Sequence, residues 1–217
     1  MIPTKQSTKE RILDAACRLF AERGYHDTTT QMVCEAAGAN IAAVHYHYQS
    51  KENLYRLVWR RLDDDVRQRY ASRLGPATDA EEQLREFIQI RVQGVLSDGP
   101  EGRFPRLLHW EMSNPTTLHE EIHEKHVRDK REWFIDLIRK LVGPGPDSDT
   151  IHLWAFCINS PLIHLIEMRT KPHRRPPPPG APPHRRPGDP PEALVETMTT
   201  FALAGLQALA AKSARTE

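Results

Sequence analysis

The stretch TTTQMVCEAAGANIAAVHYHYQSK, residues 28–51, decides the fold. It indicates two short helices joined by a turn at Gly38, the second of them crowded with His and Tyr. Thr28–Gln31 has the Thr-x-x-Gln spacing that opens a helix, and Asn40 is a favourable N-cap for a helix over 41–48. Helices this short are marginal alone, so both must pack against longer neighbours. We interpret the stretch as a helix-turn-helix.

The flanking segments supply those neighbours. Ser7 and Glu10 have capping-box spacing, and the helix that follows is predicted to end at Gly24, which suits a left-handed C-cap. Ser50 is predicted to cap a much longer helix after the helix-turn-helix. Apolar residues recur along both at helical intervals, namely Ile12, Ala16, Leu19 and Phe20 in the first and Leu54, Val58 and Leu62 in the second.

The helix predicted over 41–48 has an unusual outer face. Val44 and Tyr48 lie four residues apart and can anchor one side in the core. A solvated face would normally carry Lys and Glu, whereas this one offers small residues with His and Tyr, which suit the major groove. An aromatic-rich core helix is the alternative. The threonines at 28–30 and Lys51 favour DNA, since they lie where a helix-turn-helix meets phosphates.

These residues resemble the DNA-binding domain of the TetR family of repressors over roughly residues 8–62. The stretch AAGANIAAVHYHYQSKENLY is especially similar to the CecR-like branch, where Asn-Tyr-His-Phe is usual in place of His45–Tyr48. The resemblance implies phosphate contacts from Thr29, Thr30, Tyr46, His47 and Lys51. It also implies groove contacts from Ile41, Ala42, Ala43 and His45.

The charge balance excludes a non-specific nucleic-acid coat. The chain has 30 Lys and Arg against 29 Asp and Glu, and residues 1–62 carry nine against six, a net +3. That allows local steering but few phosphate contacts per half-site. Useful affinity then needs two half-sites, so we expect a homodimer on double-stranded palindromic DNA. Its recognition helices should lie about 34–36 Å apart, or somewhat farther if the DNA is widened.

The rest of the chain is predicted to be helical too, near 79–98, 103–114, 115–142, 148–169 and 191–212. Asn114 and Pro115 have the pattern of an N-cap followed by an N1 proline. The fold class is therefore all-α, with an N-terminal three-helix helix-turn-helix domain (1–50) and a larger helical regulatory and dimerisation domain (51–217). Residues 51–74 form the connecting helix.

The last two helices have the composition of a dimer interface. One stripe is Ile151, Ala155, Ile158, Leu162, Leu165 and Ile166, and the other is Leu194, Met198, Phe201, Gly205 and Leu209. Pairing with the symmetry mates gives a four-helix bundle; an intramolecular hairpin is the alternative. Pro161 predicts a bend or break in the first of them. Between them the Pro/Arg-rich segment 171–191 predicts an exposed polyproline-like loop.

His119-Glu120-Glu121-Ile122-His123 matches HExxH, so zinc chemistry with Glu120 as base is the competing hypothesis. A third ligand is missing at recognisable spacing, and His126 is too far along the helix. We therefore expect a charged, solvated face, with no metal, no cofactor and no catalytic residue.

For a small-molecule effector the candidate pocket residues are Leu107, Trp110, Glu111, Trp133, Phe134 and Leu137, with core packing as the alternative. The expected effector is largely apolar or aromatic and shifts the separation of the recognition helices. No apolar run is expected to be long enough to span a bilayer, so no membrane partner is expected. Cys17, Cys34 and Cys157 lack CxxC spacing, which indicates a reducing, cytoplasmic location.

Overall fold

The computed structural model describes residues 6–74, 79–170 and 190–213, and all regular structure in those ranges is helical, as predicted. A 3₁₀ turn at Pro100–Gly102 and a π-helical turn at His123–Val127 accompany the α-helices. The α-helices are α1 Thr8–Arg23, α2 Thr30–Ala37, α3 Ile41–Tyr48, α4 Lys51–Arg73, α5 Ala80–Leu96, α6 Arg103–Ser113, α7 His119–Ile122, α8 Arg128–Val142, α9 Ser148–Thr170 and α10 Pro191–Ser213.

Side-chain caps start the first four helices. Ser7 Oγ accepts from Glu10 N at 3.2 Å, Asn40 Oδ1 from Ala43 N at 2.8 Å and Ser50 Oγ from Asn53 N at 3.1 Å. These caps satisfy N–H groups that have no partner within the helix. The bounds of α1, α3 and α4 therefore follow from the local sequence.

The start of α2 differs by one residue from the capping-box prediction. Thr29, not Thr28, is the N-cap, and its Oγ1 accepts from Met32 N at 3.2 Å. Thr28 is fully buried and its hydroxyl donates to Gly24 O at 2.8 Å. Thr28 thus fastens α2 to the end of α1, because a buried hydroxyl must find an acceptor.

One hydrophobic core joins α1–α4 to α6 and α7. Phe20, Tyr55 and Trp59 are among its largest fully buried side chains, and Phe104 and Leu107 of α6 pack into the same cluster. The core therefore extends across residue 50, where the sequence predicts a domain boundary. That boundary stays a prediction, and α4 and α6 are the elements through which the two parts share apolar contacts.

A second core lies between α5, α8, α9 and α10. Phe87, Phe134, Ile138 and Leu162 are buried in it, and Phe87 and Phe134 stack with ring centroids 4.2 Å apart. Tyr70 of α4 packs against both cores. A displacement of the helices in the second core can therefore reach α4 through direct packing.

The sequence expectation that Asn114 caps the next helix is wrong. Asn114 ends α6 instead of capping the next helix, and α7 begins only at His119. The N1-proline pattern at Pro115 fails because Thr116 N donates to the buried Glu111 carboxylate, which holds this segment as a turn. Pro161 lies inside α9, which continues as one helix on both sides of it, so the helix is not broken there and a bend stays a prediction.

The expectation about apolar runs is also wrong. By length and composition alone, Ser148–Arg169 and Pro191–Ala211 are long and apolar enough to cross a membrane. Both helices contribute to the second core, with Trp154 and Leu206 buried there. A helix with one face in a core and a second apolar face on the surface has the same length and composition as a membrane span, so this finding is weak evidence for one. Most of the Pro/Arg-rich segment, 171–189, lies outside the described residues.

Candidate nucleic-acid interface

Helix α3 is held on its inner side by the two residues that the sequence predicts. Val44 and Tyr48 are each 2% exposed. The Tyr48 hydroxyl donates to Lys9 O of α1 at 2.5 Å, and burial raises the pKa of Tyr48 to about 12. The phenol therefore stays a donor at any physiological pH, and α3 is fixed against α1 by a packed ring and a hydrogen bond.

The turn between α2 and α3 is tied to α1. Gly38 ends α2 with φ 58° and ψ 44°, the left-handed conformation that glycine adopts most readily. Arg11 Nε donates to Ala37 O at 3.1 Å. The guanidinium satisfies a carbonyl at the end of α2, so the two short helices are fastened at their junction as well as through their apolar faces.

The outer face of α3 is open. Tyr46 is 84% exposed and Ile41 45% exposed, and Ala42 and His45 are also exposed. Ala43 and His47 are half-buried. A helix anchored on one side that presents small and aromatic residues on the other matches the requirements of a groove-reading helix.

Potential phosphate contacts flank this face. Thr29 is exposed at the start of α2, and Thr30 is half-buried beside it. Lys51 opens α4, and its ammonium nitrogen lies 4.1 Å from the Tyr25 ring centroid. Burial lowers the pKa of Lys51, and the cation–π contact holds the side chain in place. Free N–H groups at these helix starts add donors for an anion.

The sequence gives no indication of the strain in the turn between α3 and α4. Gln49 has φ 67° and ψ −50°, and Ser50 N donates to Tyr48 O at 2.8 Å, which makes a γ-turn with Gln49 at its centre. His45 Nδ1 lies 3.0 Å from Gln49 O. The conformation of Gln49 therefore sets the angle between α3 and α4.

The predicted effector residues do not enclose one cavity. Leu107, Phe134 and Leu137 are buried in the two cores, with Leu107 in one and the other two in the second. Trp133 lines a cleft beside α4, and Trp110 and Glu111 line a small void near Gly24. The sequence pattern thus identified buried apolar residues without distinguishing core from pocket.

Glu111 has a structural role that its sequence context did not reveal. It is 2% exposed and accepts from Tyr55 OH at 2.8 Å, Thr116 N at 2.9 Å and Thr116 Oγ1 at 3.0 Å. His119 Nδ1 lies 3.4 Å from the same carboxylate. Glu111 therefore joins α4, α6 and the start of α7 in one buried polar cluster.

Much of the predicted α9 dimer stripe faces inward. Ile151, Ala155, Leu162, Leu165 and Ile166 are each less than 9% exposed and pack within the protomer. Ile158 is half-buried. These residues therefore belong to the core and not to a dimer surface. Helical periodicity alone cannot show which of two apolar faces packs against the core.

The other faces of these helices are apolar and exposed. On α9 the exposed residues are Leu153, Phe156 and Ile163. On α10 Leu194, Met198 and Gly205 are half-buried, whereas Phe201 is 79% and Leu209 40% exposed. The α10 stripe thus lies at the edge of the core and extends onto the surface.

The HExxH segment is split between two helical types. His119 lies in α7, while His123 begins the π-helical turn. Within the described ranges no group of three or more His, Cys, Asp or Glu is arranged to hold a metal ion. The expectation of a solvated face is only partly right, because His126 Nδ1 lies 3.0 Å from Oδ2 of the buried Asp63.

A helix-turn-helix with an open, anchored second helix and a helical companion domain defines a class of DNA-binding proteins. Residues 12–58 match the family described as bacterial regulatory proteins, tetR family, and residues 80–206 match the C-terminal domain of the HTH-type transcriptional dual regulator CecR. The chain belongs to the TetR family of transcriptional regulators, with a CecR-type C-terminal domain. Members of this family are regulators and not enzymes.

Relatives and solved structures agree with this assignment. The chain is 30% identical over 148 residues to the biofilm operon icaADBC negative regulator IcaR of Staphylococcus epidermidis, covering 60% of this chain and 77% of IcaR. It is 28% identical over 91 residues to the repressor KstR2 of Rhodococcus jostii, and the match covers 42% of this chain and 45% of KstR2. AibR in complex with isovaleryl coenzyme A and operator DNA has the same fold, with TM-score 0.68, 18% identity and 90% and 97% coverage.

Proposed function

We propose that this regulator binds palindromic operator DNA as a homodimer and acts as a repressor in the cytoplasm, released by a small-molecule effector. The observation that carries the proposal is the construction of α3. Its inner side is fixed by Val44 and Tyr48, while Tyr46 is 84% exposed on the other side, with its ring centroid 4.9 Å from that of His47 on the same helix. A duplex bound here would cover the Tyr46 ring, which can offer both apolar contact and a hydrogen-bonding hydroxyl to DNA.

The side chains around α3 divide into two roles in this proposal. His45, with Ile41, Ala42 and Ala43, faces base edges in the major groove, where hydrogen bonds and methyl contacts distinguish base pairs. Thr29, Thr30, Tyr46, His47 and Lys51 lie at the margins and contact phosphates, which fix the register without reading sequence. The short reach of the groove-facing side chains requires α3 to enter deeply, and the small residues Ala42 and Ala43 permit that approach.

Selection of bound sequences from random duplex DNA tests the proposal. The expected product is an inverted repeat whose half-sites lie about one helical turn apart, because a two-fold dimer presents two copies of α3. Recovery of a single asymmetric site would contradict the homodimer. Recovery of no preferred sequence would contradict the proposed base readout.

Single substitutions test the division of roles. His45→Ala should change the preference at particular base pairs by about 1–3 kcal/mol. Lys51→Gln should weaken binding to every duplex and reduce the salt slope by about one. Lys140→Gln removes an exposed ammonium at the end of α8 and is the matched control, expected to change neither property. Equal effects of His45→Ala on all sequences would overturn its assignment.

The proposed dimer uses the exposed faces of the last two helices. Phe156 and Ile163 on α9, with Phe201 and Leu209 on α10, lie on the surface of the protomer. Gly205 lets a partner helix approach closely on α10. Two such helices from each protomer would form a four-helix bundle in which the apolar faces cover each other.

Effector release requires a ligand that binds one spacing of the recognition helices better than the other. AibR, which shares the fold, was crystallised with isovaleryl coenzyme A and operator DNA. By analogy we infer that this chain also binds an effector, and we place the site among α4, α5, α6 and α8, where apolar and polar side chains line voids beside α4. Binding there would move α4 and with it the helix-turn-helix.

A further inference from the structure

Two voids lie side by side along α4, apart from the DNA-facing side chains. The inner one, of about 40 Å³, is lined by residues of α4, α5, α6, α8 and α9. The outer one is a cleft of about 360 Å³ whose wall includes Leu74, Asp129 and Trp133. Tyr70 and Lys130 belong to both walls, so these two side chains separate the voids.

Positive charge predominates among the charged side chains that line the inner void. Arg69, Arg91 and Lys130 line it, with Glu101 as the single carboxylate. Arg91 Nε is buried and has no hydrogen-bond partner among the described residues. A buried donor without an acceptor costs free energy, which an incoming anion would remove.

The remaining wall is apolar and aromatic. Phe104, Ile90 and Leu108 face the inner void, and Tyr70 and Trp133 pack with ring centroids 6.0 Å apart beside the outer cleft. A volume of 40 Å³ exceeds the roughly 10–15 Å³ that one water needs, so it can take a group the size of a carboxylate. The outer cleft is within the range of small-molecule sites, about 300–1,000 Å³.

We propose that these two voids form the effector site and that its ligand is a carboxylate with an apolar body. The anionic group occupies the inner void between Arg91 and Lys130, and the apolar body passes Tyr70 into the outer cleft against Trp133. This inference rests on the proposed function, since it names the chemistry of the effector that releases the regulator.

Lys130 connects the site to α4. Its ammonium contacts Oδ1 of Asp63, a buried residue of α4, and donates to His126 O at 2.8 Å. A ligand anion near Lys130 competes with Asp63 for that ammonium, which weakens the contact between α8 and α4. Because α4 continues directly from the γ-turn that follows α3, a displacement of α4 changes the spacing of the two recognition helices in a dimer.

The charge requirement is tested by calorimetric titration of the full-length protein without DNA. The probes are decanoate and 4-phenylbutyrate, each paired with the neutral alcohol of the same body, 1-decanol and 4-phenyl-1-butanol. At least one carboxylate should bind about tenfold or more tightly than its alcohol, as expected for a hydrogen bond to a charged group. Equal binding of acid and alcohol, or no binding by either acid, would overturn the proposal.

Substitutions on α5 test the position of the anion. Arg91→Met should lower carboxylate affinity about tenfold and leave alcohol affinity unchanged. Arg85→Met, on the same helix and outside both voids, is the matched control and should bind like the wild type. Thermal unfolding of both variants without ligand shows that they are folded. An unchanged affinity of Arg91→Met, or an equal loss in Arg85→Met, would contradict the assignment.

Failure of this inference and failure of the proposed function give different results. Carboxylate binding with the expected charge preference in a protein that selects no DNA sequence would remove the operator proposal and keep the site. Sequence-specific DNA binding by a protein that binds neither carboxylate would remove the site and keep the operator proposal. Where both hold, the bound carboxylate should lower operator affinity in the wild type and fail to do so at the same concentration in Arg91→Met.

Discussion

At the scale of single residues, Gln49 carries backbone strain where α3 meets α4. Its φ of 67° is the only positive value among the described residues other than glycine. Such a conformation costs a non-glycine residue about 1–3 kcal/mol. We expect Gln49→Gly to raise the free energy of unfolding, measured in urea, by about 1 kcal/mol. This value is the strain that is relieved less the additional entropy that glycine loses on folding.

A Gln-to-Gly substitution within a regular helix should instead lower the free energy of unfolding. Gln31 is exposed within α2, and Gln31→Gly should lower the free energy of unfolding by about 1 kcal/mol. Gln49→Val should be destabilising, because a β-branched residue tolerates positive φ least. A loss of stability in Gln49→Gly would show that the γ-turn is not strained in solution.

Asp63 makes stability depend on acid pH. Burial raises the pKa of Asp63, but hydrogen bonds from His126 and Lys130 outweigh it, and the pKa lies at about 2 against an ordinary 3.8. Because the folded value is depressed, the stabilisation is present above about pH 4 and is lost as the pH falls towards 2. The difference corresponds to about 2 kcal/mol at neutral pH.

Urea unfolding of wild type and Asp63→Asn between pH 7 and pH 3 checks this dependence. The variant should be less stable at pH 7 by about 3–5 kcal/mol, since it also leaves Lys130 without its counter-ion. The difference between the two proteins should narrow as the pH falls below 4. A constant difference over the whole range would show that the Asp63 carboxyl is not the titrating group.

At the scale of elements, α1 and α6 meet at Gly24. A Cβ added there would lie 3.2 Å from Cδ2 of Trp110, and Gly24 has φ 76°. Gly24→Ala therefore combines backbone strain with a close contact between two helices. We expect it to lower the free energy of unfolding by about 2–4 kcal/mol, measured by urea denaturation.

Gly143 provides a control with the same backbone requirement. Its φ is 73°, and a Cβ there would meet nothing within 4 Å. Gly143→Ala should lower the free energy of unfolding by about 1–2 kcal/mol, the cost of the strained backbone alone. Operator affinity should fall in Gly24→Ala alone, because only that position lies between the helix-turn-helix and α6. Equal losses of stability would show that Trp110 moves away without cost.

Most helix bounds were predictable, because capping and glycine turns are local properties of the chain. Ser7, Asn40 and Ser50 cap as predicted, and Gly38 ends α2. The failures came where a hydrogen bond outside the predicted capping pattern decides the conformation. The Asn114 and Pro115 signal was overridden by the Glu111 carboxylate, and Thr28 was drawn inward by an acceptor on α1.

The candidate DNA site was predictable for a similar reason. Val44 and Tyr48 fix the orientation of an eight-residue helix, so the exposure of Ile41 and Tyr46 follows from helical periodicity. The residues of an effector site could not be predicted in this way, because an apolar residue in a core and one in a pocket give the same sequence pattern. The positive lining of the inner void comes from three separate helices, and no local pattern joins them.

At the scale of the whole molecule, the proposed dimer is tested at the exposed apolar surface of α9 and α10. Phe156 is 65% exposed and Phe201 79% exposed. Covering such a side chain contributes about 1.5–3 kcal/mol, and in a two-fold dimer each substitution acts twice. We therefore expect Phe201→Asp to raise the dimer dissociation constant by about three orders of magnitude, measured by light scattering and sedimentation over a concentration series.

The dimer prediction also constrains DNA binding. Phe201→Asp should bind a single half-site as well as the wild type does, because α3 is unaltered, but should lose the additional affinity of the full inverted repeat. Met112→Asp places the same charge at a 57% exposed apolar position on α6 and should leave both the mass and the operator affinity unchanged. A wild type that stays monomeric at micromolar concentration, or a Phe201→Asp variant that stays dimeric, would place the partner surface elsewhere. In the second case Phe156→Asp would separate an interface centred on α9 from one that uses neither helix.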